Sequence, residues 1–301
     1  MLRIGSRGSK LALRQAEWVS AKLGELGEKS RIEIIRTTGD KITDVALSKV
    51  GGKGLFTREI EEALLAGSVD LAVHSLKDLP TMLPEGLALA AIPPRDDPRD
   101  AVVGRRLGDL PRGARVGTSS LRRAAQLRFV RPDLVVEPVR GNLDTRLRKL
   151  EEGQYDAIVL AVAGLRRLGW EAHIAEILPL DRMLPAVGQG ALAIETRDEE
   201  GPVWDICRRL DDPDTHRAVT AERALLAALG GGCQVPIGAH AEISHGTLFL
   251  RAVVISPNGA EAVSQEIRGD TERAEALGHE LGRRLLASGA EAILEAVYGA
   301  G

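Results

Sequence analysis

The chain has 301 residues, of which 44% are hydrophobic and 28% are charged, and its formal net charge is −3. A chain of this length predicts about two or three domains with a sizeable core, and its weak negative charge argues against nucleic-acid binding by bulk electrostatics. Two cysteines exclude a disulfide framework, and no apolar run approaches the roughly 18 residues of a membrane span. We therefore expect a cytoplasmic protein, because the opening residues MLRIGSRGSK also lack the apolar segment of a secretory signal.

The first ninety residues alternate between strand-like and helix-like segments. Apolar runs of strand length occupy residues 2–4, 32–36, 71–73 and 87–92, and helical spacing of apolar residues marks 12–26 and 56–64. This βαβ alternation predicts a largely parallel sheet covered by helices. The stretch PPRDDPRDA that follows is rich in helix and strand breakers, which indicates a domain crossing at residues 93–101.

A second alternation and a different C-terminal pattern follow. Strands are predicted at 114–117, 135–139, 157–162 and 191–194, and helices at 121–130 and 142–152. After a linker at 211–216 come a long helix, a glycine-rich loop, two strands ending near residue 255 and two helices. We predict an α/β protein with two similar doubly wound domains, residues 1–94 with 190–211 and residues 99–188, plus a smaller α+β domain at residues 215–301.

Positive charge is concentrated between residues 112 and 149. This segment contains nine arginines, one lysine and three acidic residues, so its local charge is +7 in a chain that is slightly acidic as a whole. A solvated helical face and an anion-binding cleft both remain open as explanations. Nucleic-acid binding is disfavoured because aromatic residues, which stack on bases, make up only 3% of the chain.

Two strand-to-helix turns within this basic segment are suited to anions. In VGTSSLRRAAQL, the hydroxyls of Thr118, Ser119 and Ser120 lie beside a helix start, and Arg122 and Arg123 add guanidinium groups. An ordinary serine N-cap with surface arginines is the alternative.

The second turn, in VRGNLDTRLRKL, has Arg140 at a strand end, Gly141 for a tight turn and Arg146 in the next helix. Arg167 also follows a strand, in AVAGLRRLG. Because strand carboxyl ends bind ligands in open α/β sheets, we expect these arginines to line one crevice.

The segment LAVHSLKDLP combines opposite charges at a strand end. Ser75, Lys77 and Asp78 follow the apolar strand residues. Asp78 would be a lone carboxylate in a basic site, able to stabilise a developing cation and to move protons. A surface turn is the alternative interpretation.

The two cysteines have different surroundings in the sequence. Cys233 follows three glycines in GGGCQVPIG, which leaves room for a bound group and suggests a nucleophilic or modified thiol. Cys207 lies in a helix-like segment and is expected to pack inertly.

In the segment KVGGKGLF, glycines lie next to Lys49 and Lys53, but no predicted strand precedes them as it would in a dinucleotide-binding site. The sequence has no CxxC or HExxH cluster, so no metal site is predicted.

Nine segments, taken in order, resemble the signatures of the porphobilinogen deaminase family: SRGSKLALRQA, KVGGKGLF, AVHSLKDLP, DDPRDA, GTSSLRRAAQL, RGNLDTRL, LAVAGLRRLG, LPAVGQGALAIE and GGGCQVPIGA. The resemblance implies two domains like type II periplasmic binding proteins and a third domain with a cofactor cysteine. It implies a transferase of tetrapyrrole and haem biosynthesis that condenses four porphobilinogen molecules, releases ammonia at each step, and frees linear 1-hydroxymethylbilane by hydrolysis. The implied cofactor is one dipyrromethane per chain.

The resemblance also implies roles for individual residues. Cys233 matches the thioether attachment position of the cofactor, and Asp78 matches the catalytic aspartate. Together with the segments above, it gives these candidates for binding cofactor and substrate: Arg7, Ser9, Lys53, Ser75, Lys77, Thr118, Ser119, Ser120, Arg122, Arg123, Arg140, Gly141, Arg146, Arg167 and Gln189. A monomer is expected. The rival hypotheses are a non-catalytic anion-binding protein of periplasmic-receptor type and a nucleic-acid-binding protein.

Overall fold

A computed structural model describes residues 1–41, 55–231 and 235–298. The chain divides into two compact units, one of residues 1–96 with 190–216 and the other of residues 97–189 with 217–301. The first predicted domain is close to the first unit. The second unit contains both remaining predicted domains, so the separation of residues 215–301 as a domain of its own stays a prediction.

The first part of the chain forms the elements that the apolar spacing predicts, with one short helix that it does not predict, at Thr38–Lys41. They are β1 (Leu2–Ser6), α1 (Lys10–Glu25), β2 (Ser30–Ile34), the short α2 (Thr38–Lys41), α3 (Arg58–Leu65), β3 (Leu71–Ser75) and β4 (Leu87–Ala91). Helix α1 begins after Ser9, whose hydroxyl accepts a hydrogen bond from the Ala12 N–H at 3.3 Å. Its buried residues recur at helical spacing, which explains why the segment is an amphipathic helix.

The second part adds two strands that the sequence pattern does not predict. Its elements are β5 (Asp100–Gly104), β6 (Arg115–Gly117), α4 (Leu121–Val130), β7 (Val135–Glu137), α5 (Leu143–Glu151), β8 (Ala157–Ala161), α6 (Val162–Arg167) and β9 (Ile174–Ile177). Strands β5 and β9 are the unpredicted ones. Strand β5 directly follows the stretch PPRDDPR, whose prolines and charged residues predict a linker and not the start of a buried strand.

The last part returns to the first unit before forming a separate sheet. Its elements are β10 (Leu192–Arg197), α7 (Pro202–Arg208), α8 (Pro213–Ala228), β11 (Ile237–Ser244), β12 (Thr247–Ile255), β13 (Ala262–Asp270), α9 (Ala274–Leu285) and α10 (Glu291–Tyr298). Strand β13 was not predicted, because most of its residues are exposed or half-exposed and its sequence, AVSQEIRGD, has no apolar run.

Two five-stranded sheets share one topology. Their strand orders are β2-β1-β3-β10-β4 and β7-β6-β8-β5-β9. In each sheet the first two pairings are parallel and the last two are antiparallel. The expectation of a largely parallel sheet is confirmed in strand direction, because in each sheet four of the five strands run the same way and only one, β10 or β5, runs in reverse. The chain enters each reversed strand from the other unit and not through a βαβ crossover within the same sheet.

Helices cover both faces of the first sheet. One face, with Ile4, Leu71 and Ile194, packs against α1 and against α7, which contributes the buried Cys207. The opposite face packs against α3, where Ile60 and Leu64 meet Ala72 and Leu87. Side chains therefore alternate along β3 between an α1 face and an α3 face, as strand geometry requires.

The second unit has apolar packing on both faces of its five-stranded sheet. One face packs against α4, and the other packs against α5 and α6. The antiparallel sheet β11-β12-β13 packs against α8, α9 and α10. The fold class is thus confirmed: two similar α/β sheets and a smaller α+β region. Within the described residues, no helix has both the length and the apolar character needed to cross a membrane.

Candidate active site

The turn after β3 presents Lys77 and Asp78. Residues Leu76–Asp78 form one 3₁₀ turn, in which Leu76 is 1% exposed and the Asp78 side chain is exposed. The Leu76 N–H donates to the Ala191 carbonyl at 3.0 Å, which ties the turn to the start of β10. A buried leucine and a main-chain hydrogen bond therefore hold the backbone from which an exposed carboxylate projects.

The last two residues of β3 are anchored on opposite faces of the sheet. On the α1 face, the Gln15 Nε2 donates to the Ser75 hydroxyl at 2.8 Å. On the α3 face, the His74 Nε2 lies 3.0 Å from a carboxylate oxygen of Glu195. The structure thus brings Ser75, Lys77 and Asp78 together on a segment that is fixed from both sides.

The β1–α1 turn contributes the other candidates of the first unit. Ser9 is the N-cap of α1, and the half-buried Arg7 guanidinium lies 4.2 Å from the centre of the Phe56 ring. At this distance a cation–π interaction stabilises the charged side chain. Lys53, a candidate from the same part of the sequence, lies outside the described residues, as does Lys49.

The three hydroxyls between β6 and α4 all have partners within the protein. Ser120 caps α4 by accepting the Arg123 N–H at 3.4 Å, and Thr118 accepts the Ser120 N–H at 3.2 Å. Ser119 donates to the Val139 carbonyl at 2.7 Å. The turn therefore has the serine cap that the plainer interpretation predicts, and its binding of an anion stays a prediction.

Arg122 and Arg123 are buried and share one carboxylate. Asp100, at the start of β5, accepts from Arg122 Nη1 at 2.7 Å and from Arg123 Nη2 at 2.7 Å. Arg122 also donates to the Leu184 carbonyl, and Arg123 to the Val159 carbonyl. Gln189, 1% exposed, completes the network by donating to Asp100 at 2.8 Å.

This network has more positive than negative charge. Burial by itself would raise the pKa of Asp100, but the guanidinium groups of Arg122 and Arg123 outweigh it and hold that pKa well below its usual range. One carboxylate neutralises one of the two cations, which leaves a surplus charge of about +1 in a medium of low dielectric constant. The buried Nε of Arg122 also has no hydrogen-bond partner among the described residues.

The remaining arginines are more accessible. Arg140, Arg146 and Arg167 are half-exposed, and Arg146 Nε donates to the Gly141 carbonyl at 2.8 Å. Gly141 has a φ of +105°, and a Cβ there would lie 2.6 Å from Thr145. The turn before α5 therefore requires glycine, as the sequence predicts.

The cysteines differ as far as the structure describes them. Cys207 lies in α7 with no exposed surface, and burial raises its thiol pKa to about 12. The prediction that Cys207 packs inertly is confirmed, because a thiol with such a pKa is not a nucleophile near neutral pH. Cys233 lies outside the described residues. In the part of the chain that is described, no group of His, Cys, Asp and Glu side chains could hold a metal ion.

Comparison with known proteins identifies the family. Residues 2–204 match the family model described as porphobilinogen deaminase, dipyromethane cofactor binding domain, and residues 216–287 match the porphobilinogen deaminase C-terminal domain. The chain belongs to the porphobilinogen deaminase family. The sequence-based predictions of this family, of a transferase and of a dipyrromethane cofactor are confirmed at the family level.

Relatives are similar over nearly the whole chain. The porphobilinogen deaminase of Syntrophobacter fumaroxidans is 54% identical over 99% of this chain and 98% of its own length. That of Geobacillus kaustophilus is 52% identical over 98% of this chain and 96% of its own length. Among solved structures, a periplasmic substrate-binding protein of an ABC transporter from Coxiella burnetii has a TM-score of 0.43 at 13% identity, covering 70% of this chain and 91% of that one.

The donor set fits the cofactor of the porphobilinogen deaminase family. Dipyrromethane has carboxylate side chains, and the second unit offers the half-exposed Arg140, Arg146 and Arg167 besides the surplus charge near Arg122. Guanidinium groups bind carboxylates with paired hydrogen bonds, so these side chains suit such a ligand.

Asp100 and Glu195 were not predicted as site-related residues. The sequence feature that could have indicated them is a carboxylate at the end of an apolar run, in DAVV and ALAIE. A charged side chain in a buried strand requires a partner.

Proposed function

We propose that this protein condenses four porphobilinogen molecules head to tail, releases one ammonia at each step, and frees linear 1-hydroxymethylbilane by hydrolysis. The relatives from Syntrophobacter fumaroxidans and Geobacillus kaustophilus, which are 54% and 52% identical, are both named porphobilinogen deaminase. The observation that carries the proposal is the anchored Leu76–Asp78 turn, which presents an exposed carboxylate beside a lysine. A chain with this activity would act in the cytoplasm, and we propose that it does so as a monomer that binds neither nucleic acid nor membrane.

Asp78 is proposed to act on the charge that develops during the reaction. When the aminomethyl C–N bond of porphobilinogen breaks, the electron pair leaves with nitrogen, and the remaining methylene-pyrrole is cationic. The Asp78 carboxylate accepts hydrogen bonds from pyrrole N–H groups and stabilises this cation. It also moves protons, to the leaving amine and from the ring carbon at which the new C–C bond forms.

The basic residues are proposed to hold the acetate and propionate groups of substrate and cofactor. The half-exposed Arg140, Arg146 and Arg167 are accessible to carboxylates, and Arg7 and Lys77 offer cations in the first unit. Arg122 and Arg123 contribute through the surplus charge of the network around Asp100. Ser9, Lys53, Ser75, Thr118, Ser119, Ser120, Gly141 and Gln189 complete the proposed binding set.

Cys233 is proposed to carry the cofactor through a thioether. When bound, dipyrromethane supplies the first pyrrole carbon to which substrate is added. The protein's contribution is the thiolate of Cys233 and the three glycines before it, which have no side chains. Anchoring the growing chain makes each addition intramolecular on one side and reduces the entropic cost of orientation.

Turnover and intact mass together test this proposal. We expect the purified protein to consume porphobilinogen and, after denaturation, to retain an added mass of two porphobilinogen units less two ammonias. The matched variants are Cys233→Ser, which should lack both the adduct and activity, and Cys207→Ser, which should keep both. An active protein with an unmodified Cys233 would contradict the cofactor assignment, and a modified protein without turnover would contradict the activity.

A further inference from the structure

The α3 face of the first sheet contains three ionisable side chains that the proposed reaction does not use directly. Glu61 of α3 is 7% exposed, His74 of β3 is 6% exposed and Glu195 of β10 has no exposed surface. Around them the α3 face is apolar, formed by Ile60, Leu64, Ala72 and Leu87. We name Glu61, His74 and Glu195 the buried acid cluster.

Strand register explains why these residues meet. Ala193 pairs with His74, and Glu195 pairs with Ala72, so His74 and Glu195 are diagonal neighbours on one face of an antiparallel pair. Their ring nitrogen and carboxylate oxygen are 3.0 Å apart. The contact is not a hydrogen bond, because His74 Nε2, both Glu195 oxygens and one Glu61 oxygen lack hydrogen-bond partners among the described residues.

The cluster cannot hold all of its charges. Two ionised carboxylates against one imidazolium leave a net negative charge in a dry layer, which is strongly unfavourable without further donors. Burial raises the pKa of Glu61; the neighbouring Thr57 hydroxyl opposes this, and the Glu195 carboxylate raises the pKa further. A proton on Glu61 removes the excess charge.

Among the described residues, the charged side chains near α3 have partners of their own. Arg3 of β1 is paired with Asp70, and Arg197 of β10 donates to the carbonyls of Leu64 and Val69 near the C-terminal end of the helix. Strand β4, LALAA, has no titratable side chain. On α3 itself, Glu62 is exposed and paired with Arg58.

We propose that the buried acid cluster positions the catalytic turn: Glu61 carries a proton at neutral pH, and the contact of Glu195 with His74 fixes the end of β3. The positioning role rests on the proposed function, because it concerns Asp78, four residues beyond His74. Ser75 is fixed by Gln15 on the other face, so loss of the Glu195–His74 contact releases the end of β3 on the α3 face alone.

The protonation of Glu61 is tested without any activity measurement. Infrared spectroscopy of the full chain at neutral pH should show the carbonyl band of a buried protonated carboxyl. The band should disappear in Glu61→Gln and persist in Glu62→Gln, which changes the neighbouring but exposed glutamate. A wild-type protein without the band, or a band that persists in Glu61→Gln, would overturn the assignment.

Steady-state kinetics tests the positioning role. We expect Glu195→Gln to keep the cofactor mass and its KM but to lose kcat by about tenfold to a hundredfold, the effect of misplacing a catalytic group by roughly 1 Å. His74→Gln should give a similar loss, and the double variant should lose no more than either single one, because both changes break the same contact. Additive losses, or a kcat that is unchanged in Glu195→Gln, would refute the role. Failure of the proposed function would instead appear as wild-type protein that does not turn over porphobilinogen.

Discussion

The two five-stranded sheets have the same strand order, yet each buries an ionic network of opposite character. In the second sheet, one carboxylate, Asp100, lies between two arginines. On the α3 face of the first sheet, Glu195 lies 3.0 Å from His74, and the buried Glu61 of α3 interacts electrostatically with both. The same topology therefore supports a surplus of positive charge in one unit and a surplus of acid in the other.

The difference matches the chemistry proposed for each unit. Carboxylates of substrate and cofactor need fixed cations, and the network around Asp100 belongs to the unit with most of the candidate arginines. A developing cation needs a carboxylate, and the buried acid cluster lies at the end of the strand that precedes Asp78. Fixed charges placed in advance stabilise the reacting groups without reorganisation during the reaction.

The largest effect is expected from Asp78→Asn. Amide replacement keeps the shape of the side chain but removes its charge and its capacity to transfer protons, so kcat should fall at least roughly a thousandfold while the cofactor mass is retained. The matched control is Asp109→Asn, because Asp109 also ends a 3₁₀ turn, Leu107–Asp109, and is exposed. Equal activity of the two variants in a porphobilinogen turnover assay would contradict the role of Asp78.

Asp100→Asn tests the network of the second sheet. Removing the carboxylate leaves two buried guanidinium groups without a counter-charge, and the free energy of unfolding should fall by about 3–5 kcal/mol. Asp133→Asn also removes the partner of an arginine, Arg131, but at a partly exposed site where water replaces the lost contact, so its loss should be much smaller. Denaturant titration of both variants measures the difference, and equal losses would show that burial does not determine the cost.

Much of this comparison could not be predicted from the sequence. Periodicity located α4 with the bounds that the structure has, and polar residues after apolar runs located the turn with Asp78. The ionic networks join residues that are distant in sequence, such as His74 and Glu195, and their contact depends on strand order and register. Because β10 and β5 run antiparallel to neighbours that the βαβ pattern predicts to be parallel, no local pattern indicates which side chains meet.

The contributions of the two networks to folding stability should change with pH in opposite directions. The pKa of Asp100 is lowered on folding by Arg122 and Arg123, so its contribution to stability is present above the unfolded value of about 3.9 and is lost as pH falls. The pKa of Glu61 is raised on folding, mainly by burial, so its contribution is complete below about 4.3 and is lost as pH rises.

Denaturant titrations of wild type and variants over a range of pH values measure how each contribution to the free energy of unfolding depends on pH. The stability deficit of Asp100→Asn relative to wild type should become smaller as pH falls below about 4. The stability of Glu61→Gln relative to wild type should increase as pH rises above about 4.3. Parallel pH profiles of wild type and Glu61→Gln would mean that Glu61 titrates alike in the folded and unfolded chain, contrary to its burial.

The smallest effect is expected from Gly141→Ala, which changes the backbone of the second unit while leaving every charge in place. Gly141 has a φ of +105°, and an added Cβ would lie 2.6 Å from Thr145, so the turn must shift at a cost of about 1–3 kcal/mol. Arg146 Nε donates to the Gly141 carbonyl, so the same shift should displace that guanidinium and raise the KM for porphobilinogen more than it lowers kcat. Gly153→Ala is the control, because its φ is +73° and no atom lies within 4 Å of the added Cβ, so it should be destabilised without a change in KM. If both variants left KM unchanged, the turn before α5 would not position a substrate-binding arginine, and the positive character of the second unit would serve stability alone.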